Sequence, residues 1–146
     1  MPSEVEFHTG VADPLGYACR LLRKAYRQGA QVLCTAPPAT LAELDWLLWT
    51  FEERDFVPHV RLQGASPDLL ARTPIWLAES GLEAGRGRVL VNLGAPVPRE
   101  IDAFARLVEV VSTDEAEVAA GRERWSAYKS AGLSLVHHVP GAGTEA

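Results

Sequence analysis

Residues 4–36, EVEFHTGVADPLGYACRLLRKAYRQGAQVLCTA, carry the pattern that decides the fold. Glu4 to Thr9 reads as a strand, because Val5 and Phe7 alternate with Glu4 and Glu6. Asp13 before Pro14 is a helix-start signal. From Leu15 to Gln28, Ala18, Leu21, Leu22 and Ala25 recur at helical spacing, while Arg20, Arg23, Lys24 and Arg27 face water. Gly29 stops that helix, and Gln31 to Ala36 is a short apolar run of the kind found in fully buried strands. Strand, helix and buried strand in succession point to an alternating α/β arrangement with a mostly parallel sheet.

The rest of the chain repeats the alternation. A helix is expected from about Ala39 to Thr50, with Thr40 as a candidate cap and Leu41, Leu44, Leu47 and Leu48 as its apolar set. EERDFVPHVRL leaves it in extended form, since Pro58 pushes Val57 away from helical angles. Ile75 to Glu79 and Arg88 to Leu93 read as strands, joined by a mobile glycine-rich linker, GLEAGRG. Pro98 is expected to open a helix carrying Ile101, Phe104 and Ala105, before a buried strand at Leu107 to Val111. Ser112 or Thr113 is expected to cap a long last helix ending at Gly132, followed by a closing strand from Leu133 to Val139. The expected architecture is a single three-layer α/β domain over residues 1–140, a mostly parallel sheet with helices on both faces, and 141–146 as a flexible tail.

A chain of 146 residues buries enough surface for one ordinary core. Its composition, 47% hydrophobic and 23% charged, is that of a globular protein. No apolar run approaches a membrane span, and MPSEVEFHTG is too acidic for a signal peptide. Cys19 and Cys34 form no CxxC pair and read as free buried thiols in a reducing cytoplasm. The net charge of −5 opposes general affinity for phosphate backbones, so nucleic acid would be reached through another protein.

The sequence carries none of the common catalytic or cofactor motifs. The turn after the first strand, TGVADPLG, lacks GxGxxG, and there is no GxxxxGK[ST]. His8 and His59 are isolated, and His137 and His138 point to opposite faces of a strand, so no metal or cofactor site is expected. Ser126 and Ser130 lack the context of a serine nucleophile. Asp45, Glu52, Glu53 and Asp55 read as a solvated helix end rather than acid/base machinery. These absences favour a binding protein over an enzyme.

Two stretches stand out as docking candidates. Trp46, Trp49, Phe56 and Phe51 lie in and after the second helix, beside Val57, Pro58 and His59. Exposed aromatics carry much interface energy, although spacing alone leaves open whether these fill the core. On the last helix, Arg122, Trp125 and Lys129 share one face at i, i+3 and i+7. Two cations beside an indole suit an acidic, aromatic peptide; a solvated face with Trp125 turned inward is the plainer reading of the same spacing.

The helix-plus-loop LDWLLWTFEERDFVPH and the terminal block RERWSAYKSAGL resemble the chi subunit family of bacterial DNA polymerase III, over nearly the whole chain from EVEFHTG to LSLVHH. The resemblance implies a non-catalytic accessory factor of the clamp-loader assembly. It would bridge a psi subunit to the acidic, phenylalanine-ended tail of single-stranded DNA-binding protein. By position, Trp49, Phe56, Val57 and Pro58 would face psi, and Arg122, Arg124, Trp125 and Lys129 would face the tail. The chain departs from the pattern at Ser126, where family members can carry a lysine. A motif-poor nucleotide- or small-ligand-binding enzyme and a direct single-stranded DNA binder are the alternatives.

Overall fold

In the computed structural model, which describes residues 4–81 and 85–140, the first strand is β1 (Glu4–Val11) and the first helix α1 (Pro14–Arg27). The Asp13 carboxylate accepts from the Gly16 amide at 3.1 Å, so the expected start signal is a working cap. Then come β2 (Val32–Thr35), α2 (Pro38–Thr50), β3 (His59–Arg61), α3 (Pro67–Arg72) and β4 (Ile75–Ala78). β5 (Val89–Asn92), a 3₁₀ turn (Ile101–Ala103), β6 (Arg106–Ser112), α4 (Glu115–Ser130) and β7 (Ser134–His138) complete the chain.

The strands form one seven-stranded sheet in the order β3-β4-β2-β5-β6-β1-β7. Every pairing is parallel. One face is covered by α1 and α2, whose Leu22, Leu44 and Leu48 pack on Val32, Cys34, Ile75 and Val108. The other is covered by α4 and the 3₁₀ turn, with Tyr128, Phe104 and Trp125 against Phe7, Leu33 and Leu90. A parallel sheet needs this double cover, which is why its strands are apolar on both sides. The three-layer α/β fold is the one expected.

Several local expectations fail for visible reasons. Pro98 opens no helix; only the single turn Ile101–Ala103 forms, because Phe104 leaves it in extended form and feeds β6. α3 lies in a segment without helical periodicity, yet Ser66 caps it by accepting from the Leu69 amide. Thr40 caps nothing: Pro37 holds that position without a side-chain bond. Asp114, not Ser112 or Thr113, caps α4, accepting from the Glu117 amide at 3.2 Å. In the linker expected to be mobile, Gly85 is buried where a Cβ would meet Leu33 at 2.7 Å, and Arg88 just after it stacks over the Trp76 ring at 3.5 Å. Residues 82–84 and the expected tail, 141–146, lie outside the described residues.

β1 is irregular in a way that matters below. Its register with β6 shifts between His8 and Val11, and Gly10 has φ 68°. Before the bulge Phe7 faces α4; after it Val11 faces the α1 side.

Candidate protein-docking sites

One row of side chains on the α4 side runs in register across five strands: Thr35, Asn92, Glu109, Phe7 and His137. Glu109 is fully buried, yet its carboxylate has three donors. Arg124 Nε donates at 2.8 Å, the Tyr128 hydroxyl at 2.7 Å and Asn92 Nδ2 at 2.9 Å. Asn92 Oδ1 in turn accepts from the Thr35 hydroxyl and the Ala95 amide. Burial pushes the Glu109 carboxyl above its ordinary range, and Arg124, Tyr128 and Asn92 oppose that rise. The network ties α4 to the sheet through its Arg124 and Tyr128 side. Arg124, expected on the tail-facing surface, is therefore corrected: it is only 8% exposed and belongs to this interior pair.

Beside the network, between α4, the end of β6 and the β1 bulge, lies a cavity of about 560 Å³. Its wall is apolar, with Phe7, Val111 and Val118. Gly121 brings α4 close to the sheet: a Cβ there would meet both Val111 methyls at 3.1 Å. Trp125 stands on the rim, half-buried, with its ring edge-on to Phe7 at 5.0 Å between centroids. Arg122 lines the same cavity and is exposed. Lys129 is exposed on the same helix but does not line it. The structure thus brings together two of the four residues expected here. An apolar hollow with a guanidinium at its mouth can take an aromatic ring and fork a carboxylate attached to it.

The second surface lies on the other side of the sheet, where α2 meets β3. Trp46, Trp49 and Phe56 are 68%, 54% and 62% exposed, so these aromatics are not core. Trp49 packs against Phe56 at 5.6 Å and against His59 at 4.5 Å between ring centroids. His59 is held by the Val57 carbonyl at 2.7 Å and Asp45 at 3.0 Å. Asp55 receives Arg23 at 2.9 Å and Arg27 at 2.7 Å, which fastens the loop to α1. Asp45 and Asp55 are therefore structural partners rather than merely solvated charges. Val57 is corrected as well: at 1% exposure it packs inward and anchors the loop, while Pro58 is half-buried.

No group of three His, Cys, Asp or Glu among the described residues is placed to hold a metal ion. A hydrogen-bonded chain of Tyr17, His8 and Glu6 does line a separate hollow beside α1. Burial pushes His8 down and Tyr17 up, so both remain uncharged near neutral pH and Tyr17 is a poor nucleophile. Cys19, pushed up to about 11 by burial, and Cys34 are free, buried thiols. No helix of the described residues is long and apolar enough to cross a membrane.

Both docking stretches lie within residues 1–136, the span matched by the family profile described as DNA polymerase III chi subunit, HolC. The chain belongs to the DNA polymerase III chi subunit family. The DNA polymerase III subunit chi of Pseudomonas aeruginosa is 36% identical over 131 residues, covering 87% of this chain and 89% of that protein. The Haemophilus influenzae subunit is 31% identical over 122 residues, covering 81% of each. The Escherichia coli subunit is 29% identical over 119 residues, covering 80% of this chain and 79% of that protein.

The sequence pattern of this chi-family chain does not single out Phe7, Thr9, Gly10 and His137, which complete the first cavity: the first three lie over a hundred residues before α4, and His137 lies on the strand that follows it. The one local signal was Gly121, a glycine inside a helix, where only a close approach offsets its lower helix propensity.

Proposed function

We propose that this chain is a non-catalytic docking subunit of the replication machinery. It ties the clamp loader, through a psi subunit, to the C-terminal tail of single-stranded DNA-binding protein in the cytoplasm, and meets nucleic acid only indirectly. The observation that supports it best is the apolar cavity rimmed by Trp125 and Arg122, suited to a peptide ending in a phenylalanine carboxylate. The exposed Trp49 and Phe56 pair, with Trp46 beside it, supports a second protein contact on the opposite face.

The mechanism is tethering. Many tails on a coated strand raise the effective concentration, so a modest affinity per tail suffices to hold the assembly at the template. The electrostatic part of each contact weakens with salt, since Arg122 is exposed.

The test is calorimetry with the tail peptide, with and without its final phenylalanine. The full peptide is expected to bind and the shortened one to lose most of its affinity. Arg122→Ala should weaken the full peptide by about 1–3 kcal/mol, the scale of a charged hydrogen bond. Equal affinity for both peptides, or for wild type and a folded Arg122→Ala, would sink the assignment.

A further inference from the structure

The rim of the cavity holds a second nitrogen base, His137. His137 lies on β7, where its side chain is on the α4 side while that of His138 packs against His8 on the other. Its Nε2 is engaged with the Thr9 hydroxyl, and its ring meets Trp125 edge-on at 6.1 Å between centroids. Nδ1 has no hydrogen-bond partner among the described residues, and the residue is exposed.

On the cavity side the described groups around His137 are few; on its other side His137 borders a hollow that also holds Glu6, His8, Lys24, Arg106 and His138. On β1, Phe7 and Thr9 share its face and are uncharged. On α4, Arg122 is the permanent charge in the cavity lining. On β6 and just after it, Val111, Ser112 and Thr113 are uncharged, and Glu109 is paired with Arg124. Glu109 stands two strands away in the same row, about 10 Å at ordinary strand spacing.

Resting on the tail-docking reading above, we propose that His137 is a protonation-gated ligand of this cavity, strengthening its hold on an acidic peptide as pH falls. Neutral imidazole leaves Arg122 as the sole charge among the described lining residues. Imidazolium donates from Nε2 to Thr9 and frees an Nδ1–H for a peptide carboxylate. Histidine is the side chain whose ordinary titration spans pH 5 to 8, whereas aspartates and a C-terminal carboxyl of the peptide stay ionised across pH 6 to 8. With the peptide's amino end acetylated, the slope belongs to the protein. Its size should be that of an exposed ion pair, about two- to fivefold in Kd between pH 8 and pH 6.

The experiment measures Kd of the full-length chain for an acidic peptide ending in phenylalanine, at pH 6, 7 and 8 and constant ionic strength. Wild type should bind about two- to fivefold tighter at pH 6 than at pH 8. His137→Gln, which keeps a polar group beside Thr9, should bind with no slope. Arg122→Ala should bind more weakly at every pH and keep the slope. Circular dichroism confirms that each variant is folded. Binding with no slope in wild type, or with the slope retained in His137→Gln, overturns the role of His137 and leaves tail docking standing. No binding at any pH overturns the docking reading and this proposal together.

Discussion

Arg122 and Arg124 sit two residues apart on α4, carry the same charge and do opposite work. Arg122 reaches water at the cavity mouth, whereas Arg124 neutralises a carboxylate at the centre of the sheet. Removing one partner of a buried pair leaves an uncompensated charge, so Arg124→Ala should destabilise the fold by about 3–5 kcal/mol. Arg122→Ala should change stability by no more than about 0.5 kcal/mol. The pH dependence has a definite sign. Glu109 is already raised above 4.5 by burial, and losing Arg124 raises it further. A carboxyl whose value rises on folding contributes stability that is complete below its unfolded value and is lost as pH climbs through the folded one. The loss caused by Arg124→Ala should therefore be larger at pH 8 than at pH 5, as read from urea midpoints. Nothing in the local charge pattern separates these two arginines. The distinction comes from Glu109, which sits on another element and reads as one more strand residue until the register aligns it with Asn92.

At the scale of elements, legibility followed periodicity. α1 was readable because it shows one face to the core in a regular pattern, and the buried strands because they are short continuous apolar runs. α2 was readable as a helix, but not for which residues it exposes, since leucines and tryptophans surround it. α3 and the failed helix after Pro98 were lost because six residues, or three, are too few to display a period. The seating of α4 was hinted at only by Gly121, and that contact is testable. Gly121→Val would drive a branched side chain into Val111, where even a Cβ is crowded at 3.1 Å. Overpacking of this kind costs about 1–3 kcal/mol, and it should lift the helix and weaken peptide binding together. A thermal melt and a peptide titration on the same preparation check both. A variant with unchanged melting and unchanged affinity would mean that the Gly121 contact does not shape the cavity.

For the whole molecule, the sheet separates the two candidate surfaces. The cavity lies against β6, β1 and β7 on the α4 side, while Trp49 and Phe56 lie by β3 on the α1 and α2 side. Five strand-to-strand steps part β3 from β1, about 24 Å at the usual spacing, with the sheet itself between the faces. This arrangement suits the proposed bridging role, because two partners can then be held at once without touching each other. Sites this far apart with no shared side chains should behave additively. Trp49→Ala with Phe56→Ala should therefore abolish capture of a psi subunit and leave the Kd for the acidic peptide within a factor of about two. Arg122→Ala should do the converse. Both variants remove exposed side chains, so both should fold as wild type does. Capture assays for psi and calorimetry for the peptide, run on the two variants and their combination, decide the matter. A change at one surface that alters affinity at the other would show that the sheet transmits between them rather than holding them apart.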